Sequence, residues 1–220
     1  RQVALLEQAI ALSLSVGEPP LISYSNLGNA LRALGRLDEA QSAYERGLAS
    51  AAGEHSRSDR GMLLCNLGLL LESRRRPGDL QRAADCARQG LQAVAGGVDA
   101  RAELHLLGLQ AQVQVQLGHA PEAAAPLRRA LSGARRLGLR GVQVWLLLKW
   151  AQWLHAMGRA DEAFGVLGTV SAAPECTAYD TARVRQLRRD WGGAGDDPDP
   201  REATGGARSL DALLDHVLAV

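Results

Sequence analysis

The sequence predicts an all-α fold, in which antiparallel helix pairs stack side by side as a solenoid. The first observation is a recurring motif, in which a glycine is followed by a helix-opening turn and an alanine. Its copies are LGRLDEAQSAYERGL at 34–48, PGDLQRAADCARQGL at 77–91, LGHAPEAAAPLRRAL at 117–131 and MGRADEAFGVLGTV at 157–170. The second is a steady period, because the motif alanines Ala40, Ala83, Ala123 and Ala163 are 43, 40 and 40 residues apart. The third is that neither helix of a copy can bury its apolar stripe alone, so the pairs must stack.

Each repeat consists of two helices joined at a glycine, which readily adopts the left-handed conformation that ends a helix. The glycines are Gly35, Gly78, Gly118 and Gly158. In the first repeat Asp38 and Glu39 open the second helix, where carboxylates interact favourably with the helix dipole. Ala40 is small enough to let the two helices approach closely, and Tyr44 lies one turn later on the same face.

The pattern places ten helices in the repeat region. They are predicted at 1–16, 21–34, 37–51, 58–74, 79–94, 101–117, 120–136, 139–157, 160–170 and 177–190. The first is the second half of a partial repeat. The last is a capping helix whose arginines, within RVRQLRRD at 183–190, solvate the end of the stack. The consecutive Arg74, Arg75 and Arg76 are expected to form a solvated helix end that suits the dipole.

A change of composition limits the solenoid to residues 1–191. The segment GGAGDDPDPREATGG, at 192–206, has the Gly, Pro and Asp content of a flexible linker, which is assigned to 192–208. Ser209 then caps a short amphipathic helix at 209–220. Its apolar stripe consists of Leu210, Leu213, Leu214, Val217 and Leu218. So short a helix is marginal in water unless that stripe is buried.

Composition excludes several classes of protein. The net charge of +1, with Lys149 as the only lysine, gives no general attraction to nucleic acid or anionic membranes. The most apolar helix, around 142–154, contains three polar interruptions and is too short to span a bilayer. Three cysteines without a CxxC pair favour a reduced, cytoplasmic protein.

The sequence contains no recognisable catalytic constellation. Its five histidines are scattered singly, and HExxH, GxSxG, P-loop and dinucleotide-binding motifs are absent from it. Cys65, Cys86 and Cys176 have no nearby histidine, and such cysteines are typically small buried apolar residues. We therefore expect a protein that is not an enzyme and that uses no cofactor or metal.

The segment NLGNALRALGRLDEAQSAYERGL, at 26–48, resembles a tetratricopeptide repeat. The family's Leu-Gly, second glycine, Glu-Ala, aromatic and leucine positions correspond to Leu27-Gly28, Gly35, Glu39-Ala40, Tyr44 and Leu48. The resemblance extends to 147–167. It is weaker at 66–91, which has an insertion around Arg74, and at 107–131, where Gln110-Ala111 replaces Leu-Gly.

The period near forty is similar to that of the long repeats of kinesin light chain and of large bacterial transcription regulators and signalling ATPases. The extra residues are placed at 50–58 and 132–140. The resemblance implies a right-handed superhelix, with a concave groove that is lined by the first helices of the repeats.

The same resemblance implies a partner-binding surface in this groove. Asn26 and Asn66 precede the Leu-Gly position, where the family often binds the backbone of an extended peptide through an amide. Leu109 and Lys149 replace asparagine in the other repeats, and the alternative is that Asn26 and Asn66 only hydrogen-bond neighbouring helices. The candidate partner-binding residues are Asn26, Asn29, Arg32, Asn66, Gln112, Gln116, Trp145, Leu148, Lys149, Gln152 and His155.

The helix in VQVWLLLKWAQWLHAMG, at 142–158, is apolar on all sides. Four of its residues occupy positions where the two helices of a repeat pack: Leu147, Trp150, Ala151 and Leu154. Trp145, Leu148 and Trp153 exceed what that packing requires. They either pack against adjacent repeats or anchor a partner.

These features predict a non-catalytic scaffold that binds a protein or peptide in its groove. The alternative is an effector-sensing regulatory segment of a larger bacterial transcription regulator or signalling ATPase, based on the long period and on the helical pattern that already begins at Arg1. The final helix, 209–220, is expected to reach this groove in its own chain or in a second copy. It would then mediate autoinhibition or self-association. No nucleic acid or membrane partner is expected.

Overall fold

The computed structural model describes residues 1–51, 56–192 and 209–219, and it is all-α over these ranges. The described helices are α1 (Gln2–Ser15), α2 (Leu21–Ala33), α3 (Leu37–Ser50), α4 (Arg57–Arg74), α5 (Asp79–Ala93), α6 (Ala100–Gln116), α7 (Ala124–Arg136), α8 (Arg140–Ala156), α9 (Ala160–Ala172), α10 (Ala178–Asp190) and α11 (Leu210–Ala219). Every predicted helix is present. The helix predicted at 120–136 begins later than expected, because residues Ala120–Ala123 form a 3₁₀ turn and α7 starts at Ala124. The predicted linker lies outside the described residues, apart from Gly192.

Helices that follow one another in the chain pack against one another. The chain divides into an amino-terminal unit, Arg1–Val113, and a carboxy-terminal unit, Gln114–Val220. In the first, α2 packs on α3 and α4 packs on α5, while α4 also contacts α2 and α3. In the second, α8 packs on α7 and α9, and α10 packs on α8 and α9. The predictions of an all-α fold and of sequential helix packing are thereby confirmed.

The first helix pair closes through small residues, as the sequence predicts. Ala40 and Tyr44 of α3 are fully buried. The ring of Tyr44 lies against the backbone of Gly28 on α2, so that a Cβ atom at position 28 would overlap ring carbons Cδ1, Cε1 and Cζ. The Leu-Gly position therefore requires glycine because of close packing. The equivalent alanines of the later repeats, Ala83, Ala123 and Ala163, are also fully buried.

The turn of the second repeat differs from the others. In the first repeat α2 ends at Ala33, and Gly35, with φ of +74°, follows the C-cap residue Leu34. In the second, α4 ends at Arg74 and Arg75 itself adopts the left-handed conformation, with φ of +54°. Gly78 is also left-handed, immediately before α5. The insertion noted in the sequence thus gives this turn a second left-handed residue.

The same turn contains a buried ion pair, which corrects the expectation of a solvated side chain for Arg74, whereas Arg75 and Arg76 are exposed as expected. The side chain of Arg74 is 7% exposed and that of Asp79 is 4% exposed. Arg74 donates from Nε and Nη2 to the two carboxylate oxygens of Asp79, both at 2.9 Å. Arg74 and Arg76 also donate to Asp38 at the start of α3, at 3.0 and 2.6 Å. The arginines therefore join the second repeat to the first.

In the carboxy-terminal unit, α8 is buried on almost every side. Leu147, Trp150, Ala151 and Leu154 lie in the core, as predicted. The additional Trp153 is also buried, and its indole N–H donates to the carbonyl of Ala120 at 2.8 Å. Packing against the preceding 3₁₀ turn, one of the two interpretations offered for the extra tryptophans, accounts for this residue.

Two further helices complete this unit. A capping box begins α10, in which the Thr177 hydroxyl accepts from the Asp180 N–H and the Asp180 carboxylate accepts from the Thr177 N–H. Arg185 and Arg189 of α10 are exposed as expected, whereas Arg188 is buried. The final helix α11 packs against α7 and α9, which are second helices of their repeats. Its acidic residues Asp211 and Asp215 pair with Arg140 at the start of α8 and with Arg135 near the end of α7.

Candidate functional site

On α2, two of the candidate residues surround the hydroxyl of Tyr44. The Tyr44 O–H donates to Oδ1 of Asn29 at 2.8 Å, and the positive charge of Arg32 acts on the same hydroxyl. Burial is the main cause that raises the pKa of Tyr44 to about 12, and the Arg32 charge opposes it. The phenol is therefore a neutral donor, and part of the polar capacity of Asn29 is used inside the repeat.

This arrangement predicts how Tyr44 titrates. We expect the difference absorbance spectrum between the wild type and Tyr44→Phe to show no phenolate band at pH 10, where an ordinary tyrosine is half ionised. The measurement is absorbance at 295 nm on folded protein between pH 8 and pH 11. A transition centred near pH 10 would show that the Tyr44 phenol is not buried in the folded protein.

The two asparagines proposed as peptide readers lie in different environments. Asn66 on α4 donates from Nδ2 to Oγ of Ser25 on α2 at 3.0 Å, so it connects the first helices of adjacent repeats. This is the alternative that the sequence left open. Asn26, by contrast, is exposed. One turn before it, Ile22 is 64% exposed, which places an apolar residue beside an accessible amide on α2. Ile22 was not among the sequence candidates, although its i−4 spacing from Asn26 indicates the shared face.

On α8, Trp145 and Lys149 form a stacked pair. The ammonium nitrogen of Lys149 lies 4.3 Å from the ring centroid of Trp145, which is within the range of a cation–π interaction. Trp145 is half-buried, and Lys149 is 8% exposed. The long aliphatic stem of the lysine is thus packed, and its ammonium group lies against the face of the tryptophan ring.

The capping helix α10 engages the next two candidates on α8. Arg183 donates from Nη2 to Oε1 of Gln152 at 3.0 Å, and Gln152 itself donates to the carbonyl of Leu148 at 3.0 Å. The imidazole of His155 stacks on the indole of Trp191, with centroids 4.3 Å apart and an interplanar angle of 6°. Sequence reasoning missed Arg183 and Trp191 as neighbours of α8, because nothing in the spacing shows which residues of the last helix face inward.

Four candidates are less accessible than the sequence suggested. Three of them are buried, which corrects their assignment to an accessible binding surface: Leu148 and Gln112, each 3% exposed, and Lys149, 8% exposed. All three lie on helices that are covered on several sides. Gln116, at the end of α6, is half-buried. The accessible part of the candidate set therefore includes Asn26 on α2 and Trp145 on α8.

Other classes of site were sought in the described ranges. Within residues 1–51, 56–192 and 209–219, no three His, Cys, Asp or Glu side chains group as a metal site. In the same ranges, no helix combines the length and apolar character needed to cross a membrane. Burial raises the pKa of the Cys86 thiol to about 11, which disfavours the reactive thiolate. Neither a protein-family model nor a curated protein matches the sequence.

Proposed function

We propose that this protein is a non-catalytic scaffold that binds a protein or an extended peptide on the solvent-exposed faces of its first helices. The observation that carries the proposal is the Trp145–Lys149 pair. The core of α8 is filled by Leu147, Trp150 and Trp153, so the partly exposed ring of Trp145 is not needed to complete that core. Tryptophan at a surface is enriched among residues that dominate binding energy.

The chemistry of these faces suits a peptide ligand. The partly exposed indole of Trp145 provides apolar contact area, and Arg183 on the adjacent α10 can donate to carbonyl oxygens of a bound chain. On α2, the exposed Asn26 can both donate to and accept from a peptide backbone, with Ile22 beside it as an apolar contact. These contacts require no reacting group, which is consistent with a binding role.

The same proposal extends to architecture and location. We infer that the helix pairs belong to the tetratricopeptide class and continue as a right-handed superhelix. The close contact of Gly28, Ala40 and Tyr44 supports this inference, because it matches the positions that carry the resemblance. The free thiols of Cys65 and Cys86 support a reducing, cytoplasmic setting. A crystal structure and localisation of a tagged protein in the source cells test the two inferences separately.

Crosslinking tests whether the first-helix faces bind a partner. A photo-crosslinking amino acid is placed at Ile22 or at Trp145, and at exposed Gln81 on the second helix α5 as a matched control. After irradiation in the source cells, we expect a specific adduct from the first two positions and not from the third. Adducts from Gln81 alone would place the partner on another face and overturn the proposal.

The captured partner then allows a quantitative measurement. With purified partner, we expect Trp145→Ala to weaken binding by about tenfold or more, as for a central aromatic anchor. Gln81→Ala should leave the affinity unchanged. Circular dichroism must first show that both variants are folded. Equal affinities for the wild type and folded Trp145→Ala would exclude Trp145 as the anchor.

A further inference from the structure

The second helices α7 and α9 form a surface on which α11 lies. Four apolar residues of α11 face this surface and are buried: Leu210, Leu213, Leu214 and Val217. Their spacing of i, i+3, i+4 and i+7 makes one continuous stripe on a helix. The surface of α7 and α9 therefore accepts the apolar face of an amphipathic helix, and it is separate from the first-helix faces of the proposed function.

Two ion pairs flank the apolar stripe. Asp215 of α11 lies 2.6 Å from Nη2 of Arg135 on α7, and Asp211 lies 2.5 Å from Nη1 of Arg140 at the start of α8. Both aspartates are about two-thirds exposed. Because exposed ion pairs contribute little affinity, these two select the orientation and charge of the docked helix more than they hold it in place. The surface thus favours a helix that carries acidic residues at positions i+1 and i+5, where i is the first residue of the apolar stripe.

The docking of α11 on the α7–α9 surface is expected to be reversible. Its ten residues are too few to be helical alone in water, so the helix depends on the surface for its structure. The described contacts of α11 are with α7, α9 and the Arg140 side chain. In sequence, the Gly-, Pro- and Asp-rich segment 192–206 separates it from α10. A short helix that is held by one buried stripe is expected to open locally at a low free-energy cost.

We propose that the α7–α9 surface is a binding site for an acidic amphipathic helix of a partner protein, and that α11 is the chain's own competitor for it. The partner helix carries apolar residues at i, i+3, i+4 and i+7 and acids at i+1 and i+5. Such a helix replaces α11 with equivalent apolar contacts and the same pairing to Arg135 and Arg140. Binding in trans is then weakened while α11 is docked, because a tethered competitor acts at a high effective concentration.

A labelled peptide tests this site directly. The probe is a fluorescein-labelled peptide, SLDALLDHVLAV, with the sequence of 209–220, and fluorescence anisotropy measures its binding. We expect weak binding to the wild-type chain. Leu214→Asp places a charge in the fully buried centre of the stripe and releases α11. This variant should bind the peptide about tenfold or more tightly than the wild type.

Charge-reversal substitutions in the protein and in the peptide test whether the peptide binds on the proposed surface. In the Leu214→Asp chain, Arg135→Glu should weaken peptide binding about threefold to tenfold, because it replaces an attraction with a repulsion. A peptide with the change Asp215→Arg should recover that loss. Arg136→Glu, at the next position of the same helix, is the matched control and should have a smaller effect, since the ion pairs of α11 involve Arg135 and Arg140.

Other outcomes overturn the proposal. The site is not on this surface if the folded Leu214→Asp chain does not bind the peptide. The same holds if neither Arg135→Glu nor the compensating Asp215→Arg peptide changes the affinity. If Leu214→Asp does not fold, the double variant Asp211→Arg, Asp215→Arg releases α11 without changing the apolar stripe and takes its place. A wild-type dimer in sedimentation that the peptide converts to monomer would assign the surface to α11 of a second copy instead.

Discussion

Asp79→Ala is expected to lower the free energy of unfolding by about 3 kcal/mol, the lower end of the range for removing one partner of a buried ion pair, because Arg74 keeps its hydrogen bond to Asp38. The substitution leaves the guanidinium of Arg74 in a site where its side chain is 7% exposed, without its bidentate partner. It also removes the acceptor of the Arg76 backbone N–H, which lies 2.9 Å from Oδ2. Chemical denaturation followed by circular dichroism measures the effect.

A matched control lies on the same helix. Asp85 pairs with Arg88 at 3.0 Å, but the two side chains are 49% and 60% exposed. Because such pairs are screened by solvent, Asp85→Ala should cost less than about 1 kcal/mol. Similar losses for Asp79→Ala and Asp85→Ala would show that Arg74 is solvated after all, as the sequence first suggested.

The same pair predicts a dependence on pH. The hydrogen bonds from Arg74 are the first cause that lowers the pKa of Asp79, and the backbone N–H of Arg76 adds to them. A carboxyl whose folded pKa is depressed contributes its stability above the unfolded pKa, about 4, and loses it as the pH falls through the folded value. The wild type should therefore lose stability more steeply below pH 4 than Asp79→Asn does. Parallel pH profiles for the two proteins would contradict this linkage.

Gly28→Ala is the second substitution with a large expected effect. Its new Cβ would overlap the ring of Tyr44, which is fully buried and held by the Asn29 contact at 2.8 Å. Overpacking of this kind costs about 1–3 kcal/mol. That cost opposes the gain of about 1 kcal/mol that alanine usually brings to a helix interior. We expect a net destabilisation in thermal and chemical unfolding.

Gly141→Ala provides the matched control for this prediction. Gly141 lies within α8, and no heavy atom lies within 4 Å of its ideal Cβ position. Its replacement should therefore be neutral or stabilising by up to about 1 kcal/mol. In a double-mutant cycle, Tyr44→Ala should remove most of the cost of Gly28→Ala, because it removes the ring that causes the overlap. Additive effects would disprove the steric explanation.

The prediction of the helices succeeded because its signals are local. Apolar periodicity, a glycine after each first helix and carboxylates in the first turn of the next helix each act within a few residues. The contact of Ala40 with its partner helix also follows from one small side chain at a repeated position. The turn after α4 was less predictable, since Arg75 adopts a left-handed φ that a non-glycine residue rarely shows.

The prediction of the candidate site was less complete because accessibility depends on neighbours that are distant in sequence. Asn26 and Asn66 occupy the same repeat position, yet Asn26 is exposed and Asn66 is bonded to Ser25 of another repeat. Leu148 precedes Lys149 in an apolar helix, and only its buried location removes it from the surface. Spacing identifies the face of a helix on which a residue lies, whereas packing determines whether that face meets solvent.

The sequence by itself determined the order and limits of the helices and their pairing along the chain, because each depends on interactions within a turn or between adjacent elements. The tertiary structure alone decided that Arg74 is buried against Asp79, and that α11 lies on α7 and α9. Both outcomes bring together groups from separate segments: Arg74 meets Asp38 of the preceding repeat, and the apolar stripe of α11 is buried beside the pair of Asp215 with Arg135. Electrostatic pairing and burial depend on the distances between atoms in the folded chain, and the spacing of residues in the sequence does not give those distances.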